Sequence, residues 1–378
     1  MKGKNIICFA VIAVTALWPA RVSASGIPDV SAKSAIVVNA DDGRVIYAKN
    51  EHERLPIAST TKILTSLLTL EASEVDNRVI TVTPDMIRVQ GSSMGLRVGD
   101  RLTLHDLAVG MLMVSGNDAA NTAALCVGGT IENFASMMNA KAVSLGMKDS
   151  HFITPSGLDD SEHYSSAYDL SRLTCAALQN MQFAKIVCCK SMQIHFINPD
   201  VTNYYGNHNR LLSMYQYCTG VKTGFTKKSG RCLVSSAEKN GVRLIAVTLN
   251  DPNDWKDHES LLDYGFTLLV SRGVDDSAYH VTIPIVGGVQ GNVQVGGSAG
   301  GNMVIGTGDQ VVRTVELPQF VYAPVKKDQV LGRVCYVCAG KVVAQTELVA
   351  AEDVPQAPKQ KPWFVILWDA ITDLFSGG

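Results

Sequence analysis

Ser59 and Lys62 are the first pair of residues along the chain that could do chemistry together. Residues three apart on a helix lie on one face. A serine hydroxyl becomes an effective nucleophile when a base removes its proton, and a lysine can be that base if desolvation or nearby positive charge lowers its pKa. Residues 56–58 lead directly into the predicted helix start, so its backbone N–H groups would favour a developing oxyanion. Ser236 and Lys239 repeat the spacing, which we interpret as chance.

A second motif, Ser115-Gly116-Asn117, lies between two predicted helices. A hydroxyl in such a loop could relay a proton between a lysine and a leaving group, and an amide side chain could hold a substrate carbonyl. Taken alone the motif is weak, because asparagine is a common helix cap.

A third motif, Lys222-Thr223-Gly224, lies just before a strand predicted to begin at Arg231. A lysine and a hydroxyl together could bind a carboxylate, and glycine would let a substrate backbone lie close to the strand. This tripeptide is also compatible with an ordinary turn.

The elements predicted to position these motifs are strands at both ends of a largely helical block. Two strands flank a hairpin turn at 41–44, and the turn residues are typical of that role. The predicted strands are 35–39, 45–49, 231–236 and 243–250, and the predicted helices are 59–70, 105–114, 117–126, 131–145, 167–178 and 254–271. This order indicates a sheet with helices packed against it, over residues 25–273.

After Gly273 the pattern changes to short β-like runs separated by glycine-rich turns. The predicted strands are 280–286, 291–295, 311–317 and 330–338. We therefore predict a small all-β domain at 274–352. Residues 353–362 are rich in proline, glutamine and lysine, which is typical of a linker.

The composition excludes some functional classes. Apolar residues make up 46% of the 378 residues and charged residues 18%, which favours well-cored globular domains. The net charge is −2 and no Lys/Arg block occurs, so we predict no nucleic-acid binding. Cys335 and Cys338 have zinc-like spacing but lie in a strand-like run without a second ligand pair, so we predict no metal and no cofactor.

Both termini carry segments that we interpret as targeting elements. Residues 1–24 have two lysines, a short apolar run at 6–18 and small residues before Ala24, which is typical of a signal peptide cleaved there; an uncleaved anchor is the alternative. Either interpretation implies export. Residues 363–376 have apolar side chains on one helical side and polar side chains on the other, so they could lie on a membrane surface or dock on the protein itself.

In this order the three motifs resemble the signature of class A β-lactamases and penicillin-binding proteins. Ser-Gly-Asn-Asp at 115–118 is closer to the low-molecular-mass D-alanyl-D-alanine carboxypeptidases than to the lactamases. Further similar stretches are 154–159, 207–212, 220–226 and 323–327, with Ser156 where that family commonly has histidine. The resemblance covers nearly the whole mature chain. It implies an α/β (α+β) β-lactamase/transpeptidase-like catalytic domain, a small all-β domain and a C-terminal amphipathic helix.

The resemblance also implies a reaction and its catalytic residues. Ser59 would attack the carbonyl between the two terminal D-alanines of a peptidoglycan stem peptide. Lys62 would be the general base, and Ser115 would pass the proton toward the departing D-alanine. The N–H groups of Ser59 and Phe225 would form the oxyanion hole. β-Lactams would acylate Ser59 as substrate mimics.

The remaining site residues would bind the substrate. Asn117 would position the peptide. Lys222 and Thr223 would hold the terminal carboxylate, and Gly224 and Phe225 would lie along the bound substrate. Arg210 would add positive charge for that carboxylate.

Three alternatives share the same fold. A class A β-lactamase would need a loop glutamate followed by asparagine, and Glu162, the one candidate between 115 and 222, lacks an asparagine at that spacing. A non-catalytic wall-binding protein would be expected to have lost one of the motif residues. An endopeptidase that cuts cross-links would use the same residues.

Overall fold

The computed structural model describes residues 14–15, 26–358 and 365–368. It divides into two compact units, with the boundary between Val270 and Ser271.

Among the described residues the helices are α1 (Lys62–Val75), α2 (Leu104–Val114), α3 (Asn117–Gly128), α4 (Ile131–Ser144), α5 (Ala167–Ala177), α6 (Met181–Val187), α7 (Leu211–Met214) and α8 (Asp254–Leu268). A 3₁₀ turn, Ala58–Thr61, runs directly into α1. The strands are β1 (Val14–Thr15), β2 (Ser34–Asn39), β3 (Val45–Lys49), β4 (Val79–Thr81), β5 (Arg101–Thr103), β6 (Ser191–Phe196), β7 (Val201–Gly206), β8 (Cys218–Thr226), β9 (Gly230–Lys239), β10 (Val242–Leu249), β11 (Leu269–Asp275), β12 (His280–Val286), β13 (Asn292–Gly297), β14 (Ala299–Gly306), β15 (Val311–Glu316), β16 (Val321–Tyr322), β17 (Val330–Cys338) and β18 (Lys341–Ala350).

The first unit is built on an antiparallel five-stranded sheet in the order β3-β2-β10-β9-β8. All six residues of β2 are buried, so both faces of the sheet are covered at this strand. Helices α5 and α8 pack against β10, and α1 packs against α2 and α3. Strand β8 is an edge strand, and its neighbour on one side is the 3₁₀ turn. This arrangement confirms the predicted sheet with helices packed against it.

Several predicted elements differ in detail. The helix predicted at 254–271 ends at Leu268, and residues 269–271 are strand. The prediction missed α6 and the β6–β7 hairpin. It placed Lys222-Thr223-Gly224 before a strand, whereas this motif lies inside β8. The sequence of β8 has two glycines and no apolar alternation; Gly224 lies against the turn and Gly220 against Val187.

Between residues 271 and 358 the second unit contains strands joined by turns and no helix, which confirms the predicted all-β domain. Its seven-stranded sheet has the order β1-β15-β17-β18-β13-β12-β16, and β11 pairs with β14. The buried carboxylate of Asp276 accepts hydrogen bonds from Arg313, Tyr336 and Thr346, which joins three strands of the unit. A buried carboxylate needs a charged partner and hydrogen bonds to offset its loss of hydration.

The predicted C-terminal helix lies mostly outside the described residues. Residues 365–368 are helical, and Ile366, Leu367 and Trp368 are each more than half exposed. The predicted signal segment at 1–24 is described only at Val14 and Thr15. Within the described part of the chain, every helix is too short or too polar to cross a bilayer.

Candidate active site

Ser59 lies in the 3₁₀ turn and Lys62 is the first residue of α1, so the turn brings the two side chains together. Lys62 Nζ is 2.9 Å from Ser59 Oγ. Ser59 is half-buried, whereas the Lys62 side chain is fully buried. Ala58, immediately before the serine, has φ +46°, a region that non-glycine residues rarely adopt. The second Ser-x-x-Lys match, in β9, lies where residues three apart point to opposite faces.

The Lys62 amine has two further partners, both oxygen acceptors. Nζ is 2.7 Å from Asn117 Oδ1 and 2.7 Å from the carbonyl oxygen of Ser156. With Ser59 Oγ these complete the three positions that a lysine amine can use. Ser156, which stands where the family commonly has histidine, therefore contributes its backbone rather than its side chain.

Burial lowers the pKa of Lys62 well below its usual range, and the positive charge of Lys222 lowers it further. Asp118 acts in the opposite direction. Burial also lowers the pKa of Lys222, to about 7. Desolvation and a like charge are the two conditions under which a lysine can act as a base near neutral pH.

Ser115 and Asn117 lie where α2 meets α3. Ser115 ends α2 in a left-handed conformation, with φ 60° and ψ 32°. Its hydroxyl is buried and has no hydrogen-bond partner among the described residues. Asn117 donates from Nδ2 to the carbonyl oxygen of Gln90 at 2.6 Å, so its Oδ1 is turned toward Lys62.

Asp118 is a site residue that the sequence analysis did not single out. Its buried carboxylate accepts hydrogen bonds from the backbone N–H groups of residues 94, 95 and 96 and from the Ser93 hydroxyl. One side chain thus fastens the 93–96 loop beside the start of α3. The sequence signal for this role was its position as the fourth residue of the Ser-Gly-Asn-Asp stretch, directly after Asn117.

The third motif lies in edge strand β8. Lys222 is buried and donates from Nζ to the carbonyl oxygen of Thr223 at 2.9 Å. A Cβ placed on Gly224 would lie 3.0 Å from the Ile57 carbonyl oxygen and 3.1 Å from the Ser59 nitrogen. A side chain here would crowd both atoms, so glycine suits the close approach of β8 to the nucleophile's turn. The Phe225 side chain is 65% exposed.

Arg210 is a predicted site residue whose side chain, within the described part of the chain, has no hydrogen bond or ion pair to the other predicted site residues. It is exposed at the start of α7. His208 was not predicted as a site residue, but it is near enough to Lys222 for the lysine's charge to affect its pKa. Burial lowers the pKa of His208, and the charge of Lys222 lowers it further.

A family model described as D-alanyl-D-alanine carboxypeptidase matches residues 21–253, which include all three motifs. The chain belongs to this carboxypeptidase family. A second model, the C-terminal domain of penicillin-binding protein 5, matches residues 283–356 in the β unit of the carboxypeptidase.

Individual relatives support the same assignment for this carboxypeptidase-family chain. The D-alanyl-D-alanine carboxypeptidase DacF of Bacillus subtilis is 32% identical over 340 residues, which are 86% of this chain and 86% of DacF. DacC of Escherichia coli is 31% identical over 91% of this chain and 88% of its own. The crystal structure of penicillin-binding protein 5 from Haemophilus influenzae is similar with a TM-score of 0.65 at 27% identity, covering 88% of this chain and 100% of that one.

Proposed function

We propose that the protein is a serine-type carboxypeptidase that removes the terminal D-alanine from peptidoglycan stem pentapeptides through an acyl-enzyme on Ser59. The observation that carries the proposal is the buried Lys62 amine, 2.9 Å from the Ser59 hydroxyl. A serine needs a base at this distance to become a nucleophile.

The partners of Lys62 support its role as that base. A neutral amine has two N–H bonds and one lone pair. Asn117 Oδ1 and the Ser156 carbonyl oxygen are acceptors only, so they take the two N–H bonds. The lone pair is then left for the Ser59 proton. As Ser59 attacks the carbonyl, this proton moves to Lys62 and the carbonyl electrons move to the oxygen.

Ser115 is suited to the next proton transfer because its hydroxyl is not engaged elsewhere among the described residues. The proton passes from Lys62 through Ser115 to the departing amine of D-alanine, and the C–N bond breaks. Water then attacks the acyl-enzyme, with Lys62 as the base again. The N–H groups of Ser59 and Phe225 would hold the oxyanion in both steps, and one such donor contributes about 10²–10³ in rate.

Lys222 and Thr223 would hold the terminal carboxylate of the substrate, with Asn117 positioning the peptide. A buried lysine gains its charge more readily beside a carboxylate, so substrate binding would raise the pKa of Lys222 from about 7. Arg210 would add positive charge from the surface.

We further propose that residues 25–273 are the catalytic domain and 274–352 a spacer domain. In this proposal residues 1–24 direct export and are removed, and 363–376 bind the outer face of the cytoplasmic membrane. The linker predicted at 353–362 starts later than expected, because Val354 is buried in the β unit and its backbone pairs with that of Val325. Deleting residues 359–378 should move the enzyme from the membrane fraction to the soluble fraction while its activity on a soluble peptide is unchanged, since Val354 and the rest of the β-unit core stay in place. Retention in the membrane fraction would refute the tether.

The experiment that tests the reaction is D-alanine release from diacetyl-lysyl-D-Ala-D-Ala by the protein lacking residues 1–24. Wild type should release D-alanine and Ser59→Ala should not. Ser66→Ala is the matched control, because Ser66 is a buried serine of α1 whose hydroxyl has no partner among the described residues. It should keep its activity.

The alternatives predict distinct outcomes with penicillin and with cross-linked muropeptides. Rapid turnover of penicillin would favour a β-lactamase, and cleavage of cross-linked muropeptides without D-alanine release would favour an endopeptidase. No covalent labelling by penicillin and no hydrolysis would favour a wall-binding protein.

A further inference from the structure

A buried hydrogen-bond relay begins at His163, outside the three motifs. The backbone N–H groups of Ile153 and Thr154 point to His163 Nδ1, at 3.0 and 3.3 Å. Nδ1 must therefore accept, and the ring proton lies on Nε2. Nε2 is 2.8 Å from Thr61 Oγ1, so the ring donates to this hydroxyl.

The relay ends on the peptide bond that precedes the nucleophile. Thr61 Oγ1 donates its own hydrogen to the Ala58 carbonyl oxygen at 2.8 Å. In a planar trans peptide the C=O and the following N–H point in opposite directions. Fixing the Ala58 carbonyl therefore fixes the direction of the Ser59 N–H.

The Ser59 nitrogen lies beside strand β8. A Cβ on Gly224 would lie 3.1 Å from the Ser59 nitrogen, so the strand backbone passes this nitrogen closely. In the proposed reaction the substrate carbonyl oxygen would meet the Ser59 N–H here.

The other end of the same peptide is closely packed. A Cβ on Gly157 would lie 1.9 Å from the Ala58 carbonyl oxygen and 2.7 Å from Thr61 Oγ1. Ala58, Thr61 and His163 are all buried. The rare φ of Ala58 needs such support, since the surrounding structure must over-determine a disfavoured conformation.

We propose that His163, acting through Thr61, is a positioning residue that aims the Ser59 N–H at the oxyanion. The inference rests on the acyl transfer proposed above. Each donation along the chain also polarises the next bond, so the Ser59 N–H becomes a stronger donor. Because the oxyanion forms in acylation and again in deacylation, the relay acts on both steps.

The relay keeps one protonation state over the working pH range. Burial lowers the pKa of His163 to about 4; Asp160 and Asp159 act against this, while His151 and Lys62 act with it. The test therefore depends on removing hydrogen bonds rather than on titration.

The test compares two matched substitutions on α1 and the turn before it. Thr61→Val removes the hydroxyl of the relay with little change in shape. Thr65→Val is the control. The Thr65 hydroxyl is also buried, but it donates to the Pro155 carbonyl oxygen, two residues before Gly157, and not to Ala58. Both should lose similar stability.

The rate constants separate the two variants. With a fluorescent penicillin, Thr61→Val should lower the acylation and deacylation rate constants by roughly tenfold to a hundredfold, with the dissociation constant of the non-covalent complex unchanged. Thr65→Val should react at the wild-type rate, and Thr61→Ser should recover most of the loss. His163→Phe should match Thr61→Val, and the double variant should be no slower than either, because both remove one relay.

Acylation of Thr61→Val at the wild-type rate would overturn the inference, and this result can be read even if His163→Phe does not fold. A loss of equal size in Thr65→Val would overturn it too, since the effect would then be one of loop stability. If wild type itself is not labelled at Ser59, the proposed function fails instead.

Discussion

Lys222 lies close enough to Lys62 for its positive charge to add to the effect of burial in lowering the pKa of the Lys62 amine. The two lysines come from different elements, the start of α1 and the edge strand β8. One site therefore holds two buried amines, with pKa values that are both lowered. This pairing would let Lys62 act as a base while Lys222 supplies charge for a carboxylate.

Replacing Lys222 should shift the pH dependence of acylation. Protonated Lys62 cannot act as a base, so the rate falls on the acid side of its pKa. Lys222→Gln removes a like charge and raises this pKa, so the acid limb should move to higher pH. Lys222→Arg keeps the charge and should leave the limb in place. The measurement is penicillin acylation rate against pH; an unmoved limb in Lys222→Gln would contradict the coupling.

Ser115→Ala should separate activity from stability. The hydroxyl has no hydrogen-bond partner among the described residues, so removing it loses no bond and the free energy of unfolding should change by less than about 0.5 kcal/mol. D-Alanine release should fall by about 10²–10⁴, the usual contribution of a proton-transfer group. Urea unfolding and peptide hydrolysis measure the two effects. A large loss of stability would show that the hydroxyl has a structural partner.

Asp118→Asn should destabilise the protein. The carboxylate accepts from three backbone N–H groups of the 93–96 loop, and an amide would turn a donor toward some of them. We expect a loss of about 2–4 kcal/mol in the free energy of unfolding, measured in urea. Asp85→Asn, which changes an exposed carboxylate, is the control and should stay within about 0.5 kcal/mol. Equal effects of the two substitutions would contradict the role of Asp118.

Asp251→Asn should raise stability at neutral pH. Burial and the neighbouring Asp257 raise the pKa of Asp251 to about 6, and both carboxylates accept from Ser31. Because the folded pKa is above the unfolded value, this group's stabilisation is full below about pH 3.8 and is lost as pH rises through 6.

Asparagine does not titrate. The free energy of unfolding of the variant should therefore exceed that of wild type by on the order of 1 kcal/mol at pH 7.5 and by little at pH 4. Urea unfolding at the two pH values provides the check. An equal gain at both pH values would exclude ionisation of Asp251 as the cause.

Much of the fold could be predicted because its signals are local. Helices α2 to α5 have periodic apolar positions between clear breaks, and the strands near both ends alternate or run apolar. Strand β8 was missed because its sequence lacks apolar alternation and contains two glycines, of which Gly224 lies against the turn at Ser59. The end of α8 was missed because Leu269 continues an apolar pattern that a helix and a strand both satisfy.

The sequence by itself determined which chemical groups are present and in what order: a serine and lysine at helical spacing, a hydroxyl and amide between helices, and a lysine with threonine and glycine. Side-chain chemistry and short spacings are local, so they can be read from the chain. Only the tertiary structure decided that the Lys62 amine is buried and subject to the charge of Lys222, that Asp118 holds a loop, that His163 bonds to Thr61, and that Arg210 stays exposed. A pKa and a donor's direction depend on burial and on distances between residues far apart in sequence, which no local pattern records.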